Sequence, residues 1–196
     1  MKFIGITGGV GAGKSQLLDF IGRHYKCKIY LADKVAFTVR EPGTECYKKL
    51  VSLLGEKALH DNKLMAQMVF NDPDLLEKVN NIIHPAVKEY LLAELEAARL
   101  DGETEIFFVE AALLIEGGYK DLVDELWYVY ASDEVRASRL IASRGYSREK
   151  ALSIMSNQLS DEEFRKNCDF IIDNSFSLEA SYDAIKEKLK EFTWLG

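Results

Sequence analysis

The stretch Phe3-Ile4-Gly5-Ile6-Thr7-Gly8-Gly9-Val10-Gly11-Ala12-Gly13-Lys14-Ser15 decides the fold. Its first five residues are apolar or small, as in a strand buried on both faces. Gly8 to Ser15 then fit the pattern G-x-x-x-x-G-K-[ST], and Leu17, Leu18 and Ile21 open a helical spacing directly after it. A strand that passes through such a turn into a helix reads as a phosphate-binding loop. The glycines let successive N–H groups turn inward into a concave anion site. The helix that follows adds the positive end of its dipole. Lys14 is expected to reach the β- and γ-phosphates of a nucleotide, and the Ser15 hydroxyl to bind Mg²⁺.

Working outward, four more β-like runs follow, at Lys28–Leu31, Glu105–Val109, Leu126–Ala131 and Asp169–Ile172. Between them apolar residues recur at helical spacing: Leu50, Leu53 and Leu54; Val87, Leu91, Leu92 and Leu95; Val135, Leu140 and Ile141. A last helix is expected from Ser177, with Leu178, Tyr182, Ile185 and Leu189 on one face. Strands alternating with helices predict an α/β protein, a parallel sheet covered on both sides. The chain of 196 residues, 47% hydrophobic, suits one domain with a proper core. No strand pattern occurs between Asp33 and Arg99, which predicts a helical insertion, placed at about residues 42–99. The arginine-rich segment at about 138–158 reads as a mobile lid, and His84-Pro85 as the start of a helix.

The formal charge of −7 counts against general binding of nucleic acid or an anionic membrane. An anionic substrate therefore needs a locally positive pocket. No apolar run approaches the roughly 20 residues that span a bilayer. The run at Met1–Gly9 is too short and glycine-rich for a signal peptide, so a soluble, cytoplasmic protein is expected. Cys27, Cys46 and Cys168 show no CxxC spacing and read as small buried hydrophobes.

Phosphoryl transfer needs a group that orients or deprotonates the acceptor, a metal partner and positive charge for the transition state. Asp33 lies just beyond the second strand run, where ligands of open α/β sheets gather. Position alone equally supports a helix N-cap there. Glu110 follows the third run and reads either as a second carboxylate facing the metal's hydration shell or as an exposed loop acid. Arg136, Arg139, Arg144 and Arg148 fall within 13 residues, with the first two on one helical face. They read either as a phosphate-closing cluster or as a solvated face paired with Asp133, Glu134 or Glu149. The base-reading motif NKxD of a regulatory GTPase is absent from the chain.

Taken together, these segments resemble the dephospho-coenzyme A kinase family. The likeness rests on GGVGAGKS (Gly8–Ser15), Ala32-Asp33, Glu41-Pro42-Gly43, Val69–Pro73, Ile83-His84-Pro85, Leu113–Glu116, Arg139-Leu140, Arg144, Ser147–Glu149, Gln158 and Asp169–Asn174. The resemblance implies a P-loop NTPase three-layer fold with a five-stranded parallel sheet. It implies transfer of the ATP γ-phosphate to the ribose 3′-hydroxyl of dephospho-coenzyme A, with Mg²⁺ accompanying ATP. Carried over by position, Asp33, Lys14 and Arg139 become the catalytic residues. Gly9, Val10, Gly11, Ala12, Gly13, Lys14, Ser15, Gln16, Arg144 and Asn174 would hold ATP, and Ser15 and Glu110 the metal. Asp33, His84, Leu113 and Glu116 would meet the acceptor, and the insertion becomes the acceptor region. The implied partners are the two substrates, with no nucleic acid and no membrane, for a monomer or small homo-oligomer. The chain departs from the family's usual pattern at Leu31, Phe37, Ala112 and Gln16. Leu31 and Phe37 remove polar groups near the acceptor, and Arg40 lies close enough along the helix to replace one of them. Two other readings are a kinase with a different small acceptor and a nucleotide-binding protein without turnover.

Overall fold

The computed structural model describes residues 1–192. In chain order it contains β1 (Lys2–Thr7), α1 (Lys14–His24), β2 (Cys27–Leu31), α2 (Ala32–Thr38), α3 (Glu45–Leu54), α4 (Glu56–His60), α5 (Asn62–Phe70) and α6 (Pro73–Asp101). There follow β3 (Ile106–Glu110), β4 (Glu125–Tyr130), α7 (Asp133–Arg144), α8 (Arg148–Ser156), α9 (Asp161–Asn167), β5 (Phe170–Asp173) and α10 (Leu178–Lys190). The chain divides into two compact units, one formed by Met1–Ile29 with the chain from Ala98 onward, the other by Tyr30–Ala97.

The first unit is built on a parallel sheet with the hydrogen-bonded order β2-β3-β1-β4-β5. β1 pairs in parallel with β3, Lys2 opposite Ile106 and Ile6 opposite Glu110. On its other side it pairs with β4, Ile4 opposite Glu125 and Thr7 opposite Tyr128. β1, β3 and β4 are apolar over most of their length because helices cover both faces. Ile4, Ile6, Phe107, Phe108, Leu126 and Trp127 are all fully buried. Edge-to-face aromatic pairs run across the sheet, Phe108 on Trp127 at 5.7 Å and Trp127 on Phe170 at 5.1 Å. At the strand entrances two carboxylates take backbone donors: Asp124 accepts from Phe3 N and Asp169 from Leu126 N, both at 2.7 Å. The order of the strands reverses about β1, so the crevice at its carboxyl end is where such a fold binds ligands.

The second unit is helical. Thr44 caps α3 through Tyr47 N at 3.0 Å, and Asp61 caps α5 through Lys63 N and Leu64 N. Its core gathers Val35, Val39, Leu50, Leu54, Val79, Val87, Leu91 and Leu95. His84-Pro85 does not begin a helix, contrary to the expectation. The helix begins at Pro73, a proline suited to the first helical position, with the Asp72 carboxylate accepting from Leu75 N at 2.9 Å. Val79, Val87, Leu91 and Leu95 keep one face buried on both sides of Pro85, and that burial carries the helix through it. Pro85 withholds a donor from the carbonyl of Asn81, and both residues are solvent-exposed, so the freed carbonyl is not buried without a partner.

Candidate active site

The loop Gly8–Gly13 leaves the carboxyl end of β1, and the carbonyls of Val10, Gly11 and Ala12 are held by side chains. Val10 O accepts from Arg136 Nε at 3.0 Å, and Gly11 O from Arg139 Nη1 at 3.4 Å. Ala12 O accepts from Arg139 Nη1 at 3.1 Å and from Asn174 Nδ2 at 2.8 Å. In a trans peptide the carbonyl and the following N–H point in opposite directions. Clamping these three oxygens therefore aims the amides of Gly11, Ala12 and Gly13 to the other side. The Ala12 amide closes the turn on Gly9 O at 3.2 Å. Among the described residues, the amides of Gly11, Gly13 and Ser15 donate to no protein acceptor.

Those amides lead into α1, whose N-cap, Gly13, has no side chain to satisfy them and whose first turn carries no acid. The positive end of the helix dipole is left uncompensated, which is the electrostatic condition for an anion. Space restricts the loop to glycine at several positions, as at Gly8, where a Cβ would lie 2.4 Å from Val129 O. Gly13 sits at φ 95°, and a Cβ there would lie 2.3 Å from Asn174 Nδ2. A Cβ on Gly9 would lie 2.3 Å from the Arg136 guanidinium.

Lys14 Nζ donates to Gly8 O at 2.6 Å and lies 3.4 Å from Glu110 Oε1. The pairing of Ile6 with Glu110 explains this, because it brings the end of β3 level with the start of the loop. Ser15 and Gln16 are exposed on the first turn of α1. Asn174, fully buried just past β5, is fixed by four bonds: its backbone N–H to Tyr130 O, its Nδ2 to the loop, its Oδ1 accepting from Ser181 Oγ at 3.1 Å, and its carbonyl accepting from Arg139.

The four arginines do not form one cluster. Arg139 is bound to the loop carbonyls and to Asn174 O at 2.9 Å. Arg136 is 9% exposed and is also turned to the loop. Arg148 makes a two-pronged bond with Glu134 at 3.0 and 2.9 Å on the exposed surface, a pair that contributes little to stability. Arg144 ends α7 in an exposed position, 6.0 Å over the Tyr146 ring. Arg136 and its partner Gln158 are the residues whose role sequence reasoning missed, since nothing in the spacing separates Arg136 from its neighbours.

Leu113 and Glu116 are exposed on the turn-rich segment after β3, anchored by the fully buried Leu114 between them. In the helical unit, Asp33 is the second residue of α2 and is exposed. Leu31 holds the N-cap position without a side-chain bond, so Asp33 does not cap this helix. One turn on, Phe37 is 57% exposed, with the Arg40 guanidinium 4.5 Å over its ring and Arg40 Nε donating to Ala36 O at 2.7 Å. Partial burial lowers the pKa of Arg40. His84 is exposed midway along α6.

Among the described residues no group of three or more His, Cys, Asp or Glu side chains could hold a metal ion alone. One hydroxyl at Ser15 and one carboxylate at Glu110 fit instead a hard cation that keeps most of its waters and arrives with phosphate. Of the three cysteines expected to be buried only Cys46 is fully so; partial burial still pushes the Cys27 thiol up to about 11 and that of Cys168 to about 12, which disfavours the thiolate near neutral pH. No helix among the described residues is long and apolar enough to cross a membrane.

A sheet of this order, an open amide nest after its central strand and a lysine at the mouth of that nest define a phosphate-binding-loop enzyme of the kinase class. The family model for dephospho-CoA kinase (CoaE) matches residues 2–180. A dephospho-CoA kinase of Listeria monocytogenes is 35% identical, with 97% of each chain covered. The crystal structure of TT1252 from Thermus thermophilus is 32% identical over 97% of each chain at a TM-score of 0.80. The fold also matches that of the dephospho-CoA kinase of Campylobacter jejuni, 24% identical over 96% of each chain at a TM-score of 0.69. The chain belongs to the dephospho-CoA kinase family. It is accordingly an enzyme, a kinase.

Proposed function

We propose that the chain transfers the γ-phosphate of ATP to the ribose 3′-hydroxyl of dephospho-coenzyme A, the last step of coenzyme A synthesis. Family membership and the open amides of Gly11, Gly13 and Ser15 beside Lys14 carry this reading. The nest takes the β- and γ-phosphates, and Lys14 exchanges its contact with Gly8 O for phosphate oxygens. Ser15 and Glu110 would hold Mg²⁺, which when bound would neutralise charge on the phosphates. Gly9, Val10, Ala12 and Gln16 complete the loop, and Asn174 keeps it in shape. Arg139 adds positive charge behind the loop, and Arg144, unengaged by any carboxylate among the described residues, closes on the phosphates as part of the lid.

Asp33 accepts the proton of the 3′-hydroxyl as that oxygen attacks phosphorus and ADP leaves. Its exposure and lack of a capping bond support that role. His84, Leu113 and Glu116 contact the acceptor, and the helices of about residues 42–99 form its binding region. A second reading, a kinase for a different small acceptor, is favoured by Leu31 and Phe37, which place apolar groups around Asp33 where the family usually carries polar ones.

The deciding experiment incubates the protein with Mg-ATP and, separately, dephospho-coenzyme A, AMP, CMP or adenosine, and follows ADP release and product mass. One phosphate gained by dephospho-coenzyme A alone is expected; transfer only to another acceptor establishes the second reading. Asp33→Asn should cut turnover about 10²- to 10⁴-fold with nucleotide affinity little changed. A loss below about tenfold would remove the base role, since positioning and charge then suffice.

A further inference from the structure

We infer that Arg136 is a positioning residue, which with Gln158 holds the phosphate loop in its anion-receiving shape before the nucleotide arrives. This inference rests on the nucleotide site proposed above but not on the identity of the acceptor. Arg136 Nε donates to Val10 O at 3.0 Å, and Arg136 Nη2 to Gln158 Oε1 at 2.7 Å. The same Gln158 oxygen accepts from Val10 N at 2.9 Å. A closed ring of three bonds thus grips both sides of one residue, Val10. The third guanidinium nitrogen, Nη1, faces Asp133 Oδ1 at 3.4 Å. Every nitrogen of the group is engaged by the protein, so its charge serves the loop and does not reach out as a lid arginine would.

The consequence follows from the peptide geometry. Val10 O is fixed outward, so the Gly11 amide, first of the open donors, is fixed inward. An unbraced glycine-rich loop samples many peptide orientations, and ordering it on binding would cost conformational entropy for each residue fixed. The packing supports the brace. Val10 and Tyr146 lie against a buried cluster of Ala137, Leu140, Ala151 and Met155, so the packing that brings α7 and α8 to Val10 also brings up Arg136 and, just past the end of α8, Gln158. The backbone of Arg136 completes the fit, because a Cβ on Gly11 would come within 2.8 Å of Arg136 O.

The test compares Arg136→Gln, Gln158→Leu and Gln158→Glu with the unaltered protein. Mg-ADP affinity is measured by titration calorimetry and, where turnover is present, KM for ATP against kcat. Arg136→Gln and Gln158→Leu should each weaken Mg-ADP binding about 10- to 100-fold, the range for losing charge-assisted bonds. KM for ATP should rise in parallel, with kcat at saturating ATP and KM for the acceptor within about threefold. Gln158→Glu keeps an oxygen for both donors and should retain affinity within about threefold. Nucleotide affinity unchanged within twofold in Gln158→Leu, alongside a lowered melting temperature, would overturn the inference and leave the ring a structural contact. A fall in kcat with KM unmoved would overturn it too, by making Arg136 catalytic. If Arg136→Gln does not fold, the two Gln158 variants decide the matter. Binding of Mg-ADP is read without any acceptor, so failure of the proposed phosphoryl transfer cannot be mistaken for failure of this inference.

Discussion

Gly13→Ala tests the loop geometry most directly, because two separate costs meet at one atom. Gly13 lies at φ 95°, where an added Cβ strains the backbone by about 1–2 kcal/mol. That Cβ would also sit 2.3 Å from Asn174 Nδ2. Asn174 cannot step aside cheaply, being fully buried and bonded through its side chain to Ala12 O and Ser181 Oγ. Displacing it breaks both bonds at about 0.5–1.5 kcal/mol each. The expected destabilisation is about 2–5 kcal/mol, or a melting temperature lower by roughly 4–20 °C for a chain of this size. Urea unfolding gives the first number and thermal melting the second. Calorimetry with Mg-ADP should show binding weakened at least about tenfold, since Gly13 carries one of the open amides. A variant within about 0.5 kcal/mol of the parent, with unaltered Mg-ADP affinity, would refute the packing argument, because neither the strain nor the clash would then exist.

Other outcomes follow from the same atoms. Lys14→Ala should weaken Mg-ATP binding and lower kcat about 10²-fold or more, measured by calorimetry and initial rates, because Lys14 is the charge at the mouth of the nest. Arg148→Ala removes only an exposed pair with Glu134 and should leave the urea unfolding midpoint essentially unchanged. Cys168 has its pKa raised from 9.0 to about 12, mainly by burial. The folded state therefore keeps a proton that the unfolded chain releases, so this contribution is intact below pH 9 and is lost as pH rises towards 12. Native protein at pH 8 should react with a thiol reagent at Cys168 far more slowly than urea-unfolded protein, as followed by mass spectrometry.

The architecture was legible where one physical requirement governs a run of residues. Double-sided burial of the sheet leaves continuous apolar strands, and the observed strand bounds differ from the expected ones by one residue at most ends, as for Ile106–Glu110 against Glu105–Val109. The loop was legible because its glycines, its lysine and its hydroxyl each answer a separate demand of phosphate. The serine and glutamate that cap α9, Ser160 and Glu163, were equally readable as a capping box, although the helix was not anticipated. Local rules misled at His84-Pro85, where the burial of residues on either side outweighed the signal of a proline. The brace of the loop was not legible for a different reason. Arg136 and Arg139 share a helical face and the same chemistry, yet only the packing of α7 against Val10 decides that both turn inward to carbonyls. Arg148, four residues beyond Arg144, is drawn to Glu134 instead. A charge pattern records which cations are near one another; the partner each takes depends on contacts as distant in sequence as the 126 residues between Val10 and Arg136. That is why the residues argued to shape the nucleotide site are set by the fold, while those proposed to touch phosphate are read along the chain.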